Sequence, residues 1–282
     1  MGGIAYGVRM VSFFSEYFMK GIILAGGTGT RLLPMTAVLT KQLLPVYDRP
    51  MIFYPLNTLV KAGIKDILMI VAPDYSGSFL NLLGSMFRPY GINISFIVQK
   101  QPRGLPEAYT LGEDFCGGEP VTMILGDNIF EDDFTEAIKS FVDGGRIFAR
   151  QVPDPQRFGV VEFDSTSGRV ISIEEKPAQP KSQFAIPGMY VFDGQAAQIA
   201  KSLKPSQRGE LEIVDMHRAY LAQNKLDVRA LNGAFFDAGT PDALLEASNY
   251  VKEHDFKSRF HPDIETAIAA FNQEFKKMVS LK

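Results

Sequence analysis

Apolar positions along this chain change their spacing near residue 147. Before it, short runs of Ile, Val, Leu and Phe at 21–24, 66–72, 92–98 and 121–125 alternate with longer stretches of helical spacing at 50–62, 76–87 and 107–115. That alternation predicts βαβ units, hence an α/β fold with a Rossmann-like, mainly parallel sheet flanked by helices. Pro50 near its start and Gly63 just past its end bound the first helix.

From about 147 to 192 the pattern turns to strands, at 159–163 and 169–173, joined by the hairpin signal Asp164-Ser-Thr-Ser-Gly168. A strand-rich insertion is expected there. Helices follow near 195–203 and 210–223, then a strand near 227–231, the strand-like Phe235-Phe-Asp237 and a helix after Pro241. Ile264, Ala267, Ile268, Phe271, Phe275 and Met278 recur at helical spacing, with acids early and Lys276-Lys277 late, as the helix dipole favours. This terminal amphipathic helix is expected to pack on its own domain, with a subunit interface as the alternative.

Composition narrows the setting. With 282 residues, 46% hydrophobic and 22% charged, the chain has the profile of an ordinary globular protein. A chain of this size can bury about three quarters of its extended surface. The 29 Lys+Arg and 32 Asp+Glu leave a net charge of -3, which excludes a generally basic, nucleic-acid-binding surface. Any bound phosphate must be held locally. The single Cys116 reads as a buried small hydrophobe and suits a reducing, cytoplasmic setting. The longest purely apolar stretch, 67–72, falls far short of the ~18 residues that a membrane span needs, so no membrane partner is expected. Residues 1–18 have a weak apolar patch at 11–14 between Arg9 and Glu16, with no A-x-A-like cleavage site. They read as an extension before Met19, and translation from Met19 is the alternative.

The sharpest chemical signal follows the first predicted strand: Leu24-Ala-Gly-Gly-Thr-Gly-Thr-Arg31. Gly26, Gly27 and Gly29 allow close backbone approach, and successive amides in such a turn form an anion-binding nest. Its glycine spacing fails the dinucleotide fingerprint, and it lacks the Gly-Lys-Ser/Thr of a P-loop. Asp127 follows a strand, at the carboxyl end where open α/β sheets bind ligands. Arg31, Lys41 and Lys176 are candidate cations, and a planar guanidinium at Arg31 suits a phosphate tail. His217, His254 and His261 read as structural or surface residues, and the chain has neither the cysteines nor the paired histidines of a zinc site.

Several ordered motifs point further. Leu24 to Pro34, Lys41-Gln-Leu-Leu-Pro45, Gln99-x-x-Pro-x-Gly-Leu105, Leu125-Gly-Asp-Asn-Ile-Phe130, Arg157-Phe-Gly159, Glu174-Glu-Lys-Pro177, Arg208-Gly-Glu-Leu-Glu-Ile213 and Asp237-Ala-Gly-Thr240 span about 19–250. Together they resemble the sugar nucleotidyltransferases, most closely the glucose-1-phosphate thymidylyltransferases among them. The resemblance implies that dTTP and glucose 1-phosphate react to form dTDP-glucose with release of pyrophosphate, in a homo-oligomer that needs Mg2+. It implies that Arg31 stabilises the leaving group, Lys41 serves the nucleotide and reacting phosphates, and Lys176 holds the sugar's phosphate. Leu24, Gly26, Gly27, Gly29 and Thr30 would then hold the nucleotide, Gln99 and the backbone at Gly104 would read the base, and Asp127 with Asp237 would bind the metal. Asn128, Gly159, Glu175 and main chain near Ile186 would bind the sugar.

Three departures sit near that pocket. Phe158 replaces the family's usual Tyr, Pro106-Glu107 its Ala-Gln, and Phe235 its Trp. UTP or another hexose 1-phosphate therefore stays open as an alternative substrate. A non-catalytic regulatory relative is the rival of another class, and it should have lost Arg31, Asp127 or Asp237. The domains expected are an extension over 1–18, a catalytic unit over 19–250 with its insertion at about 147–192, and a helical tail over 251–282. That tail does not resemble the longer C-terminal region that forms an allosteric nucleotide site in tetrameric relatives, so feedback inhibition is not expected.

Overall fold

A computed structural model describes residues 19–280, so the extension expected at 1–18 lies outside the described residues. In chain order the elements begin β1 (Lys20–Ala25), β2 (Pro45–Val46), β3 (Arg49–Pro50), α1 (Phe53–Lys61), β4 (Asp66–Val71), α2 (Ser76–Leu83), β5 (Asn93–Val98), α3 (Glu107–Leu111), α4 (Glu113–Cys116) and β6 (Val121–Leu125). They continue with β7 (Asn128–Phe130), α5 (Thr135–Lys139), β8 (Gly145–Gln151), β9 (Gly159–Phe163), β10 (Val170–Glu175), β11 (Phe184–Ile186) and β12 (Met189–Phe192). The last are α6 (Ala196–Ser202), α7 (Ile213–Ala222), β13 (Leu226–Ala230), β14 (Phe235–Asp237), α8 (Pro241–Glu253) and α9 (Pro262–Ser280).

Ten strands form one sheet, in the order β10-β9-β11-β8-β12-β6-β1-β4-β5, with β13 also paired to β8. The core β5-β4-β1-β6 is parallel throughout, as the alternating pattern predicted. Helices cover both faces of this core, so β4 reads Asp-Ile-Leu-Met-Ile-Val with its last five residues buried. Neighbouring residues of β1 point into opposite cores: Ile23 belongs to the cluster that holds Leu56, Phe79 and Ile264, and Ile22 to the one that holds Tyr109, Val214 and Tyr220.

The strands of 147–192 extend this same sheet. β12 runs antiparallel to β6 and β8, and β11, β9 and β10 carry the antiparallel pairing outward. The predicted hairpin closes as read, with the Gly168 N–H donating to the Asp164 carbonyl at 2.8 Å.

Some boundaries differ for physical reasons. The helix expected at 107–115 breaks at Gly112, where a Cβ would come within 3.1 Å of Ile22, Leu68 and the Ala108 carbonyl. The helix expected from 210 begins at Ile213, because Glu212 is extended and its carboxylate accepts from Ser206 and Arg208, each at 2.7 Å. The helix at 50–62 starts at Phe53, Arg49–Pro50 being paired with 45–46. The helix at 76–87 stops at Leu83. The start of α9 packs on the body through the buried Ile264 and Ala267, and its end leaves Phe275, Met278 and Val279 exposed. Cys116 is buried and unpaired, its thiol pushed up to about 11 by that burial.

Ile22 is fully buried in the central strand, between Leu68 and Met123 on its neighbours. Ile22→Ala should lower the unfolding free energy by about 2–5 kcal/mol, the cost of a core cavity. Urea denaturation checks this, and a loss under about 1 kcal/mol would contradict a tightly packed central strand.

Candidate active site

The strand order reverses at β1, whose neighbours are β4 on one side and β6 on the other. Ligands of open α/β sheets bind in the crevice at such a reversal, beyond the carboxyl ends of the strands. Two sequence signals meet there. Leu24 lies opposite Leu125, and its carbonyl accepts from the Gly126 N–H at 3.0 Å, so the glycine loop and Asp127 leave the sheet side by side.

The loop turns at Gly29, whose φ of 64° lies in the left-handed region and whose carbonyl accepts from the Thr36 hydroxyl at 2.8 Å. A short 3-10 turn, Thr30–Leu32, follows and carries Arg31. Lys41 lies over Gly27, where a Cβ would stand 3.6 Å from its Nζ, and its ammonium pairs with the Asp127 carboxylate.

Asp237 arrives from far along the chain on a two-stranded ribbon, β14 against β7, which sets it opposite Asn128. The Ala238 N–H donates to the Asp127 carbonyl at 3.0 Å and locks the two acidic turns together. Burial and the nearby Asp127 carboxylate push the Asp237 carboxyl above its ordinary value, against the pull of Lys41, Arg31 and Arg157. Arg31 reaches the same place: a Cβ on Gly239 would lie 2.6 Å from its Nη2 and 3.2 Å from Asp237 Oδ1. Among the described residues no cluster of three or more His, Cys, Asp or Glu could hold a metal. Asp127 and Asp237 do fit a divalent cation whose remaining ligands are phosphate oxygens and water, because magnesium commonly takes only one or two protein carboxylates.

Arg31, Asp127 and Asp237 line a cleft of about 220 Å³ together with Asn128, Gly159, Glu175, Lys176 and Ile186. Asn128 is buried, and its Oδ1 accepts from the Gly188 N–H at 2.8 Å. Lys176 has a φ of 42°, unusual for a residue with a side chain, and its N–H donates to the Phe158 carbonyl at 3.0 Å. Its Nζ stands 3.4 Å from Glu175, at the cleft mouth. Gln99 is buried at the rim beside Gly26 and outside this cleft. Gly104, with a φ of 110°, bridges to Leu211, and any Cβ there would strike the Leu211 carbonyl at 2.1 Å.

Further cleft residues carried no site role in the sequence reading. Arg157 adds a fourth cation, its guanidinium donating to Asp154 at 2.8 Å. Tyr190 and His217 line the floor, and Gly188 leaves room for Asn128. His217 is fully buried with neither ring nitrogen bonded to protein, and burial pushes it down to about 3, so the ring is neutral. Ile213 and Val214 precede His217 by four and three residues on α7, the helical spacing that could have found them. Two of the sequence departures meet here: Phe235 stacks on Phe130 at 5.1 Å and meets Phe158 edge-on at 6.2 Å.

A family model described as nucleotidyl transferase matches residues 20–254. A glucose-1-phosphate thymidylyltransferase of Neisseria meningitidis serogroup A is 51% identical over 240 residues, covering 83% of this chain and 83% of its own. One from Mycobacterium tuberculosis is 47% identical over 239 residues, covering 83% of this chain and 82% of its own. A crystal structure assigned to a Bacillus anthracis glucose-1-phosphate thymidylyltransferase, in complex with a sucrose, superposes with a TM-score of 0.77 at 41% identity, covering 82% of this chain and 94% of that one. A UDP-glucose pyrophosphorylase complexed with UDP-glucose superposes with a TM-score of 0.73 at 25% identity, covering 84% and 99%.

A carboxyl whose pKa rises on folding favours the fold while protonated. Its contribution is present below the ordinary value of 3.8 and lost as pH rises through the raised one. Asp237→Asn should therefore raise the Tm of the chelator-treated protein at pH 7, by a margin that shrinks as pH falls towards 4. Thermal denaturation at the two pH values checks this, and a lower Tm at pH 7 would refute it.

Proposed function

The chain belongs to the nucleotidyl transferase family, and we propose that it transfers a nucleotidyl group from dTTP to glucose 1-phosphate, forming dTDP-glucose and pyrophosphate. One observation carries the mechanism: Asp127 and Asp237 converge with Arg31, Lys41, Arg157 and Lys176 at the carboxyl end of the central strands. The names of the relatives support the substrates, since those at about half identity are glucose-1-phosphate thymidylyltransferases.

In the proposed reaction an oxygen of the sugar phosphate attacks the α-phosphorus of the triphosphate. A new P–O bond forms, the bond to the β-phosphate oxygen breaks, and its electron pair leaves on pyrophosphate. The attacking oxygen is already anionic, so no general base is needed. What the reaction lacks is positive charge where two anions meet. Arg31, fixed beside Gly239, would take charge from the leaving pyrophosphate, and Lys41 would face the α-phosphate from over Gly27. Lys176 would hold the sugar's phosphate at the cleft mouth. Leu24, Gly26, Gly29 and Thr30 would offer backbone to the triphosphate, Gln99 and Gly104 would read the base, and Asn128, Gly159, Glu175 and Ile186 would hold the hexose.

Magnesium is the cation proposed for Asp127 and Asp237, and when bound it supplies positive charge to the triphosphate oxygens. The catalytic unit is taken to end near residue 250, in keeping with the family match to 254. The exposed apolar end of α9 supports a homo-oligomer, and the free Cys116 supports a reducing, cytoplasmic setting.

A pyrophosphate-release panel crossing dTTP, UTP, dCTP and GTP with several hexose 1-phosphates tests the assignment. dTTP with glucose 1-phosphate should give the highest kcat/KM, and equal rates with all four nucleotides would overturn it. Asp127→Asn should lower turnover by about 10²-fold or more, as loss of a preorganised electrostatic group does. Wild-type turnover in that variant would rule out the proposed metal site.

A further inference from the structure

We propose that Glu107 is a positioning residue that fixes the side-chain amide of Gln99, so that the site offers a carbonyl oxygen to the nucleobase and selects bases with a ring N–H, thymine and uracil, over cytosine. This rests on the reading that Gln99 faces the base.

Glu107 and Gln99 are each 5% exposed. One carboxylate oxygen, Oε2, accepts from Gln99 Nε2 at 2.7 Å and from the Arg103 backbone N–H at 3.0 Å. The other, Oε1, accepts from Arg103 Nε at 2.8 Å. Both oxygens are therefore committed, and the carboxylate cannot swing away without stranding a buried donor. A carboxylate has no proton to give, so the Gln99 amide must turn its NH2 group towards it. The Gln99 carbonyl is thereby forced to the opposite side, against the glycine loop. A Cβ on Gly26 would stand 2.8 Å from Gln99 Oε1, which locates that oxygen at the first glycine of the nucleotide loop.

An acceptor held there pairs with the N3–H of an imide base. Cytosine carries a lone pair at N3, so two acceptors would face one another in a buried place, where no reorientation of Gln99 can relieve them. With Gln at 107, its amide could either accept from or donate to Gln99, and both orientations of Gln99 become available. Glu107 is thus the element that turns an ambiguous amide into a one-way reader, with Arg103 as its tether.

The test compares kcat/KM for dTTP and dCTP with glucose 1-phosphate, by pyrophosphate release, in wild type, Glu107→Gln, Arg103→Met and Gln99→Ala. Glu107→Gln should narrow the dTTP to dCTP ratio by about tenfold or more, through KM rather than kcat. Arg103→Met should narrow it less, in the same direction, and stands in if Glu107→Gln fails to fold. An unchanged ratio in both variants, with Gln99→Ala narrowing it, would overturn the role of Glu107. A ratio unchanged in Gln99→Ala as well would overturn base reading by Gln99 itself.

Discussion

Everything at the cleft depends on the parallel pairing of β1 with β6. That ladder sets Leu24 opposite Leu125, so the glycine loop and the Gly126-Asp127 turn emerge at one level, joined by a single backbone hydrogen bond. Slipping the register by one residue would turn every side chain of β1 into the wrong core, because Ile22 and Ile23 serve opposite faces. The position of the cleft is thus held by the burial energy of the whole sheet. The loop itself contributes little to it.

Charge at the cleft is balanced locally, in a chain whose net charge is -3. Asp237 shares a buried space with Asp127, and burial together with that neighbouring carboxylate lifts the Asp237 carboxyl above its ordinary value. Lys41 offsets one carboxylate, and Arg31 and Arg157 draw on the other. The backbone at Lys176 lies in the left-handed region, and Arg31 stands close against Gly239.

The departures from the family pattern also make sense as contacts. Phe158 and Phe235 touch, so loss of a hydroxyl at one and of an indole at the other reshapes one wall of one cleft. The departure at Glu107 makes contacts too, pairing with Arg103 and accepting from Gln99 Nε2. Two changes far apart in the chain, at 158 and 235, are thus neighbours in space.

The fold class and most core strands were legible in the order of apolar runs, because a parallel sheet covered on both faces needs runs of that length between helices. The glycine loop and the motif residues were legible as well, since close backbone approach and phosphate chemistry restrict residue type locally. Helix ends were less so: Gly112 breaks a helix only because Ile22 and Leu68 press against it, and Glu212 delays another because Arg208 grips it. Neither pressure is visible in local spacing. Arg157 and Tyr190 were missed as cleft residues for the same reason, their neighbours being remote in sequence. The sequence by itself determined most of the elements that form and which residues stand as candidates for phosphate chemistry. Only the tertiary structure decided that Asp127 meets Asp237 and that Glu107 turns Gln99, because those contacts are made by strand pairing and side-chain hydrogen bonds whose geometry no local pattern encodes.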